Sequence, residues 1–425
     1  MGTIILGSGI AGISAGYHLK KKGKDVIIYE KDGDWGGLCG NFTIDGFRFD
    51  RFVHLTFAPD DYTKNIFENS SPTFAHPSIS TNFYKGYWLK HPAQNNLAPL
   101  PSDEKVEIVK GFINRQQKAF EELESYEDWL RVQYGDYFAE NFPMVYTKKY
   151  WGLESKELET KWVGNRMHSP SIDEVLKGSY EVQDEIFYYT SHMKYPKKGG
   201  FRSILNKCRE GLNIRFNKEV IGIDTKSKIV TFKDGTSETY ERLISSLPLP
   251  EIVKMIEGCP DEVKQAAGRL HNTCGYMVSL GFKRPDVAKH LWFYIYDEDI
   301  LASRVYSPNL KSSDNVPDGC SSLQAEIFFD CNAELPTKEE VLHNTIEKFV
   351  GMGLFAEAEI VVKDIRFEKY ANITFDKNIY TNRKIVLDYL NSIGIESIGR
   401  FGKWEYFWTH QAFEDGRKVC LCQNS

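Results

Sequence analysis

The apolar positions of this chain fall into blocks whose period changes along its length. Thr3-Ile4-Ile5-Leu6 is a short β-prone run that leads straight into Gly7-Ser8-Gly9-Ile10-Ala11-Gly12. Residues 13–22 then predict a helix, closed by Gly23, and Val26-Ile27-Ile28-Tyr29 predicts a second buried strand ending at Glu30. Across residues 105–133, helix formers carry apolar residues near helical spacing, and this helical segment extends to about residue 190. Period-two alternation takes over in residues 214–223 and 229–236, around the turn at Asp234-Gly235, and residues 243–248 predict another buried strand. Residues 277–282, 291–296, 323–329 and 360–367 predict a second sheet, and a last helix is expected to begin near Gln411.

The first of these blocks carries chemistry. Gly7 allows a tight turn out of the strand, Gly9 lets the backbone approach a pyrophosphate, and Gly12, with Gly16 one turn on, lets helix and sheet pack closely. The free N–H groups at Ile10 and Ala11 and the positive end of the helix dipole would hold the phosphates, and Glu30 stands where an acid binds a ribose hydroxyl. This spacing implies a dinucleotide site. After Lys31, the pair Gly36-Gly37, followed by Leu38, gives a backbone flexible enough to lie along a cofactor. The acid followed by this pair resembles the FAD-dependent amine oxidase superfamily. That resemblance implies FAD, with Lys31 and Leu38 beside it and Val220 lending backbone groups to the adenine. There is no second complete G-x-G-x-x-G, so no separate nicotinamide domain is expected: NAD(P)H would enter the substrate cleft, or a reductase protein would reduce the flavin.

Bulk properties narrow the picture. At 425 residues the chain predicts two or three interleaved domains, and its 23 Tyr, 27 Phe and 8 Trp suit a large aromatic core. A net charge of −6 argues against nucleic acid as the main partner. Entry into a strand directly after Met1, and the lack of any run near 18 apolar residues, predict a cytoplasmic protein with no membrane span. The eight cysteines form no C-x-x-C pair, which predicts reduced thiols and no metal site, with Cys39 a small packing residue.

Several later segments resemble the UDP-galactopyranose mutase family. Tyr146-Thr147-Lys148-Lys149-Tyr150-Trp151 followed by Trp162-Val163-Gly164-Asn165-Arg166-Met167 is similar to a nucleotide-facing stretch paired with a catalytic arginine. Tyr195-Pro196-Lys197-Lys198-Gly199-Gly200-Phe201 is similar to a turn of those mutases, and Leu291 to Tyr294 leading into Ser303-Arg304-Val305-Tyr306 resembles their second arginine strand. Phe367-Glu368-Lys369-Tyr370 resembles a diphosphate-touching segment. Gly399-Arg400-Phe401-Gly402-Lys403-Trp404-Glu405-Tyr406, then His410-Gln411-Ala412, resembles the last flavin motif.

The resemblance implies an α/β fold: a Rossmann-like FAD-binding domain of the glutathione-reductase and amine-oxidase type, a helical insertion, and a mixed β-sheet substrate domain. The expected segments are 1–75, 195–265 and 390–425 for FAD, 100–190 for the insertion, and 76–99 with 266–389 for the substrate sheet. It implies reduced FAD whose N5 attacks a UDP-sugar, in polysaccharide synthesis. Arg166 and Arg304 would hold the diphosphate; His54 would sit by the flavin; Tyr146, Thr147, Trp162, Tyr370 and Tyr406 would meet the substrate; and Arg400, Gln411 and Ala412 would meet FAD. Arg suits the task because its planar fork of donors stays charged in a partly dry cleft.

Other readings stay open. Tyr370 and Tyr406 are also plausible core aromatics, His54 a structural histidine, and Lys148 and Lys149 solvated. Where those mutases place small residues before the histidine, this chain has Phe52-Val53, which cannot take a positive φ cheaply. That departure leaves a flavin oxidoreductase of the amine oxidase or desaturase type as the alternative, and a flavoprotein that binds a nucleotide-sugar without turnover as a third.

Overall fold

The computed structural model describes residues 2–163, 167–188 and 190–421. Strand Gly2–Leu6 is flanked by two parallel partners, Val26–Tyr29 and Ser237–Ser245. Its Ile4, Ile5 and Leu6 are all buried, as the unbroken apolar run of a two-faced parallel strand requires. Asn213–Arg215 extends the sheet beyond Val26–Tyr29, and Ile395–Ser397 pairs in parallel with the end of Ser237–Ser245. The beginning of that same long strand turns antiparallel to Ile229–Phe232, which pairs in turn with Val220–Asp224. Helix Ile10–Lys21 joins the first two strands and packs on helix Thr409–Lys418.

The second sheet has the order Ile360–Ile373, Asn272–Phe282, Ser321–Asp330, Arg304–Tyr306, Trp292–Ile295, Thr81–Tyr84, Tyr87–Lys90. All its neighbours are antiparallel except Trp292–Ile295 with Thr81–Tyr84. All eleven residues of Asn272–Phe282 are buried, so this strand has no polar alternation to mark its start in the sequence.

Between the two sheet-forming regions lie helices Ser102–Ile113, Tyr126–Tyr134, Asp136–Asn141, Pro143–Trp151 and Ile172–Tyr180. The helix-rich run at 105–133 is broken in the structure. The first helix stops at Asn114, and Ser125 Oγ starts another by accepting the Asp128 N–H at 3.3 Å. The aromatic wealth is concentrated here: Tyr126, Trp129, Tyr134, Phe138, Phe142 and Trp151 are buried in one cluster, with Phe138 stacked on Phe142 at 4.5 Å. No helix among the described residues is long and apolar enough to cross a membrane.

Candidate active site

A cavity of about 1750 Å³ is lined by both sheets, the helices between them and the segment Thr409–Lys418. One end is formed by the glycine-rich turn. Gly7 holds φ at 93°, and a Cβ on Gly12 would stand 2.0 Å from the Gly7 carbonyl oxygen, so the helix can leave the strand this tightly only without side chains there. A Cβ on Gly9 would meet nothing within 4 Å, so that stretch of backbone faces open space. No side chain caps the N-terminus of Ile10–Lys21, which leaves its first N–H groups available to an anion. Gly36 pairs with Gly9, its N–H reaching the Ser8 carbonyl at 3.0 Å, so the two glycine motifs form one wall. Glu30 accepts from the Ser8 N–H at 2.8 Å and the Ser8 hydroxyl at 2.7 Å on one oxygen, and from the Asp32 N–H at 3.1 Å on the other, which keeps room for a ribose hydroxyl. These residues fit the pyrophosphate and ribose of FAD.

Farther along the cavity, hairpin Asn41–Ile44 and Phe47–Asp50 delivers the segment Phe52-Val53-His54. Neither Phe52 nor Val53 adopts a positive φ. Phe52 stacks on Phe328 at 6.2 Å, and the Val53 N–H donates to Glu326 Oε1 at 2.8 Å. Glu326 is fully buried, and its other oxygen accepts from Arg304 Nε at 2.6 Å and lies 2.5 Å from Arg304 Nη2. Burial opposes the Arg304 charge, but the Glu326 carboxylate and surrounding tyrosines outweigh it and hold the guanidinium well above its ordinary range. Tyr146, Tyr150 and Tyr294 ring this arginine. Burial raises Tyr146 and Tyr150 well above the usual phenol range, so both hydroxyls remain proton donors.

A family model described as flavin containing amine oxidoreductase matches residues 10–381. The chain belongs to that family. Its sequence is 38% identical over 74 residues, 17% of this chain and 15% of the relative, to a 4,4'-diapophytoene desaturase of Staphylococcus haemolyticus. It is 49% identical over 83 residues, 20% of this chain and 16% of the relative, to a 1-hydroxycarotenoid 3,4-desaturase of a Flavobacterium species. These curated relatives are thus matched over a small part of their length. A crystal structure of reduced UDP-galactopyranose mutase superposes with a TM-score of 0.92 at 22% identity, over 99% of this chain and 94% of that one. A putative protoporphyrinogen oxidase of Exiguobacterium superposes at 0.75 and 15% identity, over 99% and 97%. At these identities the superpositions establish the fold, and the FAD assignment follows from the family and the dinucleotide end of the cavity.

In this flavoprotein the cavity brings together most residues singled out in the sequence: Gly7, Gly9, Ile10, Ala11, Glu30, Lys31, Gly36, Gly37, Leu38, His54, Tyr146, Thr147, Trp162, Val220, Arg304, Tyr370, Arg400, Tyr406 and Ala412. Gly12 acts behind the wall. Gln411 does not line the cavity, and its side chain instead accepts the Trp408 N–H at 2.9 Å to cap its own helix. Arg166 lies outside the described residues. Arg400 places its guanidinium 4.5 Å from the Tyr406 ring and donates to the Phe407 carbonyl at 3.0 Å and to Asn372 at 3.2 Å, so it ties the last motif to the second sheet. The Tyr370 hydroxyl donates to Glu251. Cys39 is buried, and desolvation pushes its thiol up to about 12. Lys148 is exposed beside Glu154, as a solvated residue should be. Lys149 is not solvated. Its ammonium donates to the carbonyls of Ile295 at 2.9 Å and Asp297 at 2.8 Å, and burial pulls it down to about 7.

Sequence reasoning missed Glu326 and His91, both of which line the cavity. Glu326 lies within strand Ser321–Asp330, where Ser321, Ser322 and Gln324 are polar and buried as well, so no break in an apolar run marked it.

Two half-buried, largely desolvated histidines make stability depend on pH. Desolvation pulls His54 down to about 4, against smaller opposing effects of Asp50 and the Phe52 carbonyl, and desolvation alone pulls His91 down to about 4. Both rings are neutral in the folded protein and take a proton in the unfolded chain below 6.5, so stability falls as pH drops from 6.5 towards 4, by up to about 1.4 kcal/mol per unit for each ring. His18, His76, His290 and His410 shift the same way and share the slope. Urea unfolding between pH 7 and 5 should show the decline, and His54→Gln should flatten it; an unchanged slope would refute a neutral His54.

Proposed function

We propose that this flavoprotein is a nucleotide-sugar mutase that interconverts the pyranose and furanose forms of a UDP-sugar, UDP-galactopyranose or a close relative, in polysaccharide synthesis. The observation that carries this reading is Arg304: a cation lining a deep cavity, aimed by Glu326 and surrounded by phenolic donors. Such a group suits a diphosphate, and an apolar hydrocarbon has no use for it. Reduced FAD would supply the nucleophile, its N5, for the anomeric carbon.

The chain's own residues position the substrate and neutralise charge. Arg304 keeps Nη1 without a protein partner among the described residues, so it can donate to a phosphate oxygen while Nε and Nη2 stay on Glu326. Arg166 would add a second cation. Tyr146 and Tyr406 present rigid rings to the cavity, and Tyr370 joins once its hydroxyl leaves Glu251. His54, neutral, stacked on Phe201 at 4.8 Å and with Nδ1 3.0 Å from the Phe52 carbonyl, brings no charge to the phosphates and would instead fix the turn beside the flavin.

A second reading, oxidation of an apolar substrate, draws on the desaturase relatives. Incubating the dithionite-reduced protein with UDP-galactofuranose and separating products by chromatography tests the first. The expected result is conversion to the pyranose with no net redox change and UDP binding that quenches tryptophan fluorescence. No conversion of any UDP-hexose, or no UDP binding, overturns it.

A further inference from the structure

His91 follows strand Tyr87–Lys90 and is held by its own N–H, which donates to the Ser80 carbonyl at 2.9 Å. Its ring lies between Tyr188, at 5.9 Å, and Tyr294, at 5.1 Å, and lines the cavity. Tyr294 is the register partner of Arg304 and accepts the Trp292 indole N–H at 3.1 Å, so His91 stands beside the arginine strand.

The tautomer of His91 follows from its neighbour. Asn82 is fully buried, and its Nδ2 faces two carbonyls, Leu89 at 3.3 Å and Lys90 at 3.4 Å. Turning the amide over would set its oxygen against both, so Oδ1 must be the atom 3.2 Å from His91 Nδ1. An amide oxygen can only accept, so Nδ1 carries the proton. In a neutral ring Nε2 is then a bare lone pair. It has no partner among the described residues and is not among the occluded side-chain atoms, so it opens on the cavity that His91 lines.

We propose that His91 Nε2 accepts a hydrogen bond from a hydroxyl of the sugar, making it a specificity-determining residue that selects a hydroxylated substrate. This rests on the nucleotide-sugar reading above. Burial keeps the ring uncharged at neutral pH, so it adds nothing to the grip on the diphosphate and should act on the sugar alone. A hydrocarbon in the same place would cover the lone pair without satisfying it, a penalty that selects against such ligands.

The test combines protein and substrate changes. His91→Leu should lower kcat/KM for the UDP-sugar by about 10- to 100-fold, while the Kd for UDP stays within about twofold of wild type. His91→Gln, which keeps an acceptor, should recover part of the loss and serves as the assay if the leucine variant does not fold. Among mono-deoxy sugar analogues, one should cost wild type a similar factor and cost the variant little, because the partner is already gone. Wild-type turnover in His91→Leu, or equal losses for every analogue in both proteins, overturns the proposal and leaves the mutase reading intact. Failure of the wild-type protein to bind UDP overturns both.

Discussion

Arg304→Ala should reduce kcat/KM for the UDP-sugar by roughly 10³-fold, the scale of removing a charged donor from a desolvated site. Arg304→Lys should keep the charge but lose the fork, and should fall between the two. The alanine variant also strips Glu326 of its counter-ion, leaving a fully buried carboxylate with the Val53 N–H as its remaining donor among the described residues. That costs stability, so flavin content must be measured beside turnover. The double variant Arg304→Ala with Glu326→Gln separates the effects: its fold should recover while its activity stays low. Steady-state assays on flavin-loaded protein decide the matter, and a loss below about tenfold would remove Arg304 from the role given to it here.

The Arg304 arrangement also shows what the sequence could reveal. Arg304 is legible only through the resemblance of its segment to a mutase arginine strand, because the three residues of Arg304–Tyr306 are too few to carry a period. Its dependence on Glu326 was not visible, because the two residues are neighbours only through the antiparallel register of Arg304–Tyr306 with Ser321–Asp330. Such register is a long-range property that no local period encodes. The Rossmann-like end was the most legible because its chemistry is local. Strand, turn, helix and second strand occupy residues 2–29, and the glycines that build the turn are adjacent in the chain.

The departure at Phe52-Val53 illustrates the opposite case. Bulky residues there pointed to a changed path, and the structure accommodates them by a route that local sequence does not show. The segment keeps negative φ, Phe52 fills an apolar corner with Met277, Phe328 and Ala371, and the freed Val53 N–H goes to Glu326. His91 escaped notice for a related reason. Its significance depends on Asn82, which reaches it across the hairpin of Thr81–Tyr84 with Tyr87–Lys90, whose Lys85-Gly86 turn takes positive φ at both residues. Lys-Gly is not among the Asn-Gly and Asp-Gly pairs that announce such a turn, so the pairing had no strong local signal.

The segment that carries His54 is anchored from below by a buried ion pair, and Lys311→Met should expose how much it matters. Lys311 Nζ lies 2.8 Å from Asp50 Oδ2 with both side chains 1% exposed. The ammonium also sits 4.6 Å from the Tyr195 ring centre and 4.3 Å from that of Tyr306, so two aromatic faces share the task of solvating it. Asp50 accepts in addition from the Tyr195 hydroxyl at 2.8 Å and the Phe201 N–H at 3.1 Å, while its backbone carbonyl accepts from Gln324 at 3.0 Å. One residue thus ties the hairpin before Phe52 to its surroundings: its carboxylate holds Lys311, Tyr195 and the turn at Phe201, on which His54 stacks, and its carbonyl holds the second sheet. Removing the lysine alone leaves that carboxylate buried with neutral donors and should cost about 3–5 kcal/mol of unfolding free energy. Adding Asp50→Asn should recover a large share of it, since the amide oxygen can still accept from the Phe201 N–H, its NH2 can donate to the Tyr195 hydroxyl oxygen, and the uncompensated charge is gone. Urea titration of Lys311→Met, Asp50→Asn and the double variant, followed by tryptophan fluorescence, measures the coupling; if the two substitutions simply add, the pair is not what holds the His54 segment in place.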